Sequence, residues 1–319
     1  MIKFPSIDQF RHVVRNIRKI SNTMPTLHYI GTVKLHGTNA SVVVIGDNVQ
    51  YQSRNNVISV ESDNAGFAAF AEEVGKDYWR QYNVLGNEVV IYGEWCGGNI
   101  RKGVAICDLE KMFVVFKIKV DGGWLSKEEM EPYFRDASSE IFRVYNIFMF
   151  PYFELDIDFL KPEQSQNILA QLTQQVENEC PVAKYFGISG TGEGIVWTCY
   201  DPEYNHSDFF FKTKGQKHSA SKVKKIANID IEKVNSLNEF VDKVVTESRL
   251  LQGVDYLVEQ EYDIDQKSTS VFLKWLYNDI IKEEQDTLEE SGLDQKEIGA
   301  YISRSGKDWW FNFLDGLNK

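Results

Sequence analysis

Lys34-Leu35-His36-Gly37-Thr38-Asn39 stands between the apolar run 27–33 and the β-branched run 40–45. β-Branched residues favour strands, and glycine permits a sharp turn between two of them. A lysine at the end of one strand, followed by a glycine turn into the next, can point its amine into a pocket and act as a nucleophile. The stretch therefore predicts a sheet-based fold whose chemistry lies at a strand end.

Outward from this turn, residues 40–45 and 49–53 flank Gly46-Asp47-Asn48 and read as a hairpin. Further strand-like runs occupy 88–92, 112–120 ahead of Asp121-Gly122-Gly123, 194–200 and 209–213. Ser126 with Glu129 three residues on is a capping-box pattern that opens a helix. Hairpin-joined strands with interspersed helices predict an α+β domain on antiparallel sheets over residues 1–227. Beyond Ala227 the periodicity turns helical. Ser236 and Glu239 form a second capping-box pattern, and a helix over 269–290 carries Phe272, Leu273, Trp275, Leu276 and Ile280 as a core stripe before Gly292. Residues 228–319 are expected to be a small all-helical C-terminal domain.

The 319-residue chain has no apolar run near the roughly 18 residues of a membrane span, and its N-terminus lacks the apolar core of a secretory signal. A cytoplasmic protein with no membrane partner is expected. Cys96, Cys107, Cys180 and Cys199 show no paired metal-ligand spacing, which argues against zinc and for reduced thiols. The net charge of -12 opposes broad contact with phosphate backbones. That charge is unevenly spread. Residues 1–227 carry 25 Lys+Arg against 27 Asp+Glu, and residues 228–319 carry 10 against 20, so the N-terminal part keeps room for a local basic face.

Four segments join Lys34 at predicted strand ends: Ser53-Arg54, Tyr92-Gly93-Glu94-Trp95, Glu193-Gly194-Ile195-Val196 and Phe211-Lys212-Thr213-Lys214. In this order the five resemble the motifs of the covalent nucleotidyltransferase superfamily of polynucleotide ligases and capping enzymes. Within it the chain is most similar to the RNA ligase 2 family, the bacteriophage-type ATP-dependent RNA ligases. His36 and Asn39 match that family's form of the lysine motif, whereas DNA ligases and capping enzymes usually carry Asp and Arg there. The resemblance covers residues 30–225 and implies an antiparallel-sheet, ATP-grasp-like ligase domain followed by the helical one.

The resemblance also implies roles. Lys34 attacks the α-phosphate of ATP, releases pyrophosphate and holds AMP as a phosphoramidate. Arg54 contacts phosphate, Glu94 the ribose, and Phe116 stacks on adenine. Glu193 serves a magnesium or manganese ion, for which oxygen ligands are suited. A free lysine amine with a pKa of about 10.4 is almost wholly protonated near neutrality, so a lysine nucleophile needs neighbouring cations. Lys212, Lys214 and a divalent metal are the candidates. Two residues apart on a strand, Lys212 and Lys214 share a face beside the triphosphate.

Two positions depart from the family pattern: Lys117 stands where Asp is common, and Thr198 where many relatives have a basic residue. The run Gly187 to Gly192 lacks the Gly-Lys-Ser/Thr ending of a phosphate loop and reads as a connection. Lys217, His218, Lys222, Lys224 and Lys225, with Arg11, Arg15 and Arg18 at helical spacing, are candidates to follow an RNA backbone. The expected activity is sealing of RNA with 5′-phosphate and 3′-hydroxyl ends, foremost in a nicked duplex, by a monomer. Two alternatives stay open: a GTP-dependent capping-type guanylyltransferase, which Asn39 disfavours, and a non-catalytic RNA- or nucleotide-binding module.

Overall fold

The computed structural model describes residues 1–317 apart from 21, 22, 24, 64, 99 and 216–236. The chain divides into two compact units, Met1–Gly215 and Gln216–Lys319. The expected boundary after Ala227 lies outside the described residues, as do Ser236, Lys217, His218, Lys222, Lys224 and Lys225.

The first unit holds strands β1 (Asp8–Gln9), β2 (Leu27–Lys34), β3 (Thr38–Ile45), β4 (Asn48–Ser53), β5 (Val57–Ile58) and β6 (Glu88–Cys96). It continues with β7 (Met112–Val120), β8 (Gly123–Trp124), β9 (Val144–Asn146), β10 (Phe153–Ile157), β11 (Gly194–Cys199) and β12 (Phe211–Lys214). Five of these form a sheet in the order β1-β12-β11-β2-β10, and the rest form a second in the order β5-β4-β3-β6-β7-β8, with β9 beside β7. Neighbours are antiparallel except β1 with β12 and β7 with β9. Consecutive strands β2 and β3 thus belong to different sheets, and Leu35-His36-Gly37 is the crossing between them. This is the antiparallel α+β architecture expected for residues 1–227.

Local chemistry explains the turns. The β3–β4 hairpin closes over Gly46, at φ 54°. Asp121 and Gly122, at φ 47° and 88°, join β7 to β8 with the left-handed pair that matches strand twist. Ser126 and Glu129 form the expected capping box, each side chain accepting from the other's backbone N–H. Two spans differ from expectation. β6 runs on to Cys96 because its last residues pair with Thr38 on one side and Met112 on the other. β12 starts only at Phe211, since Ser207–Phe209 coil into a helical turn.

A helix over Glu163–Asn178 covers one face of the first sheet, burying Leu169 and Val176 and donating from Thr173 Oγ1 to Thr213 Oγ1 at 2.7 Å. The other face leaves Thr32, Lys34, Val196, Lys212 and Lys214 half-buried. At the far end of the Phe10–Ile20 helix, Arg18 donates to the carbonyls of Phe159 and Leu160. That arginine ties chain to chain.

The second unit is helical, with described helices over Leu237–Val244, Glu247–Glu259, Thr269–Ser291 and Gln295–Leu317. Phe272, Leu276 and Ile280 are wholly buried at four-residue spacing, while Leu273 and Trp275 flank them partly buried. Gly292, at φ 66°, ends the long helix where the sequence placed its stop. Among the described residues, no helix is long and apolar enough to cross a membrane.

Candidate active site

Register brings the predicted lysines together. Gly194 of β11 pairs with Lys34 of β2 on one side and with Lys214 of β12 on the other, so three strand ends meet in one row. Glu193 immediately precedes that row, and its backbone carbonyl accepts from Gly215 N at 3.0 Å. Gly194 is required there, because a Cβ would collide with the carbonyl oxygen of Thr213.

Glu193 is the hub. Its carboxylate is 3% exposed and takes Lys34 Nζ at 2.7 Å and His36 Nδ1 at 3.2 Å on Oε2, with Lys214 Nζ at 2.9 Å on Oε1. Burial alone raises a carboxyl pKa, but the Lys214 and Lys34 ammoniums and the His36 contact outweigh it and hold Glu193 well below the usual carboxylate range. The result is a fixed anion among cations, suited to orienting an amine.

Across the crossing, Gly37 N donates to Glu94 Oε1 at 2.9 Å, and Glu94 pairs in register with Asn39. A Cβ on Gly37 would run into the Trp95 carbonyl and the Cys96 Cβ, which explains the glycine in this turn. Arg54 is exposed one residue beyond Ser53, itself the register partner of Ala40, so it stands at the same end of the second sheet. Phe116 is the extra residue where the β6–β7 register shifts between Tyr92 and Gly93. Its half-buried ring meets Phe4 edge-on at 5.0 Å in a cluster with Tyr92 and Trp124, and Tyr92 shares a face with Glu94. Lys212 shares the face of Lys34 and Lys214, and Thr198 is half-buried on it as well.

The chain matches a family model described as RNA ligase over residues 27–214, more than half of its length and wholly inside the first unit. The chain belongs to the RNA ligase family. Solved structures of Naegleria gruberi RNA ligase resemble it: two variants with ATP and Mn give TM-scores of 0.48 and 0.49 at 18% identity, covering 68% of this chain. The same ligase with PPi gives 0.48 at 17% identity. The chain spans 56–57% of the length of those relatives. No curated protein matches the chain.

Inside the RNA ligase region, two cations emerge that motif reading did not assign to the fold. Arg101 Nε donates to the Gly37 carbonyl at 3.3 Å, clasping the turn from the loop after β6. A lone loop arginine offers no periodicity by which sequence reveals it. Lys117 is not a site residue by its contacts. It is buried, donates to Asn205 Oδ1 at 3.0 Å and lies 3.6 Å from the Tyr200 ring and 5.2 Å from that of Phe210. Burial drives its pKa well below the ordinary lysine range, although Cys199 opposes this. Lys117 therefore braces β7 against the connection between β11 and β12.

Proposed function

We propose that this RNA ligase seals RNA by way of an adenylate on Lys34. The reading rests on one observation above all: Lys34 and Lys214 converge on the two oxygens of the same buried carboxylate, Glu193. The amine of Lys34 attacks the α-phosphorus of ATP, forming a P–N bond as the P–O bond to pyrophosphate breaks, and loses a proton. An RNA 5′-phosphate oxygen then takes the AMP from Lys34, and a 3′-hydroxyl displaces AMP to leave a phosphodiester.

Glu193 holds the Lys34 nitrogen in place, which confines the nucleophile to one approach. Lys214 and Lys212 supply fixed positive charge as negative charge gathers on the transferring phosphate. Arg54 suits a second phosphate contact through its planar donor fork. Glu94, anchored on Gly37 N, and His36 and Asn39 beside it are assigned to the nucleoside, with Phe116 offering a ring face to adenine.

Among the described residues, no group of three or more His, Cys, Asp or Glu gathers to cage a metal. Glu193, whose two oxygens already take Lys34, His36 and Lys214, would hold magnesium or manganese through water, since such ions bind through one or two carboxylates with water and substrate phosphates. Such an ion would supply further positive charge to the transferring phosphate. The first unit is assigned to adenylyl transfer, and the partner is RNA bearing 5′-phosphate and 3′-hydroxyl ends, foremost in a nicked duplex.

Incubation with α-labelled ATP followed by a denaturing gel tests the reading. Label is expected on the native chain and absent from Lys34→Ala. Persistent label on that variant would remove Lys34 as the nucleophile, and labelling by GTP in preference to ATP would turn the assignment toward capping chemistry.

A further inference from the structure

The second unit carries 14 Lys+Arg against 20 Asp+Glu, yet one of its grooves is lined by two lysines and a single acid. The groove lies between the Glu247–Glu259 and Thr269–Ser291 helices and the turn that follows the first of them, and it is open to solvent with a volume of about 620 Å³. That volume is in the range of pockets that take a nucleotide-sized ligand.

Its floor is aromatic. Tyr256 and Trp275 stack with ring centroids 5.9 Å apart and planes 25° from parallel, both partly buried against the helical core. Tyr262, 45% exposed, lines the same space. Along one wall Lys274, Asn278 and Lys282 recur every four residues on the long helix, all exposed, so they form one polar stripe beside the rings. At ~1.5 Å per residue the two lysines stand ~12 Å apart along the helix. The acid in the lining, Asp279, is already met by the buried Arg249 at 2.9 Å.

Aromatic faces flanked by lysines and an amide are the parts of a single-strand nucleic-acid site: the rings stack on a base and the ammoniums meet phosphates to either side. Charge complementarity points the same way, because acids outnumber bases two to one over residues 228–319 while lysines outnumber acids in this lining. We infer that this groove is an RNA-binding subsite of the ligase, holding an unstacked base on the Tyr256–Trp275 platform with backbone phosphates at Lys274 and Lys282. The inference rests on the proposed ligase function for its choice of RNA.

Binding of a fluorescently labelled single-stranded RNA lacking a 5′-phosphate, measured by anisotropy on the full chain without ATP, tests it. This assay involves no adenylate, so its failure leaves the sealing chemistry standing, and failure of ATP labelling leaves the binding result standing. The Lys274→Ala/Lys282→Ala double variant changes only exposed side chains. It is expected to bind about tenfold more weakly, with the slope of log affinity against log salt reduced by about 1.4, from two lost phosphate contacts. RNA is also expected to quench tryptophan fluorescence in the native chain, and Trp275→Phe, which keeps a ring on the core, is expected to lose that quench. Unchanged affinity and slope in the double variant would overturn the inference and leave the groove to an acidic protein segment. So would a quench that survives Trp275→Phe.

Discussion

Lys34 and Lys214, on strands separated by β11, bond opposite oxygens of one carboxylate that is 3% exposed, Glu193. Removing that anion leaves two ammoniums without the partner that holds them. Glu193→Gln is expected to cost about 1–3 kcal/mol of stability near neutral pH and to slow adenylylation by roughly 10- to 100-fold. The pH dependence has a definite sign. A carboxyl whose folded pKa is depressed stabilises the fold above its unfolded value, about 4.3, and loses that contribution as pH falls through the folded value. Urea melts should therefore show the native chain and the variant converging below about pH 4. A gap that stays constant to pH 2 would contradict the assignment.

Gly37 and Gly46 separate two costs of replacing glycine. A Cβ at Gly37 collides with the Trp95 carbonyl and Cys96, while one at Gly46 meets nothing within 4 Å and suffers only from φ 54°. Gly37→Ala is expected to cost ~1–3 kcal/mol and to depress adenylylation, because the crossing that carries Lys34 and His36 must move. Gly46→Ala should cost ~1–2 kcal/mol with adenylylation at the native rate. Thermal melts and single-turnover labelling of both variants check this, and equal activity losses would refute it.

The crossing was legible in sequence because its causes are local: β-branched runs, a glycine and a charged strand end. The β3–β4 hairpin, the Ser126 capping box and the Phe272 stripe were legible for the same reason. Glu193 as the hub was not. It meets Lys34 across 159 residues of chain through pairing of β2, β11 and β12, and no local pattern encodes that register. Phe116 owes its place to a one-residue shift between β6 and β7, which periodicity alone cannot locate. Lys117 stands in the sequence only as a departure from the family pattern, and its cover by Tyr200 and Phe210 comes from residues more than eighty positions away.

Arg101 holds the Gly37 carbonyl, which ties it through the turn to Lys34, the proposed nucleophile. Arg101→Ala is expected to lower the adenylylation rate constant about tenfold, ~1.4 kcal/mol of barrier, with a smaller change in the ATP concentration for half-maximal rate. Arg101→Lys should restore little, because an ammonium cannot reproduce the Nε contact of a rigid guanidinium. A rise in the half-maximal ATP concentration alone would instead mark Arg101 as a substrate-binding group.

Lys117 carries the last prediction. A lysine whose folded pKa is depressed binds its proton more weakly folded than unfolded, so stability rises with pH between the folded value and about 10.4. Lys117→Met keeps the length of the side chain and removes the titrating group, so that rise should disappear. The variant gives up the Asn205 bond and the contact over Tyr200, but it also escapes burial of an amine. Near pH 7 it is expected to match or exceed the native stability, whereas Lys117→Asp should lose about 3 kcal/mol or more by burying an unpaired anion among Tyr200 and Phe210. Urea melts at pH 7 and pH 9 decide it: if the native chain gains nothing on Lys117→Met between those values, Lys117 is not the buried amine that its contacts describe.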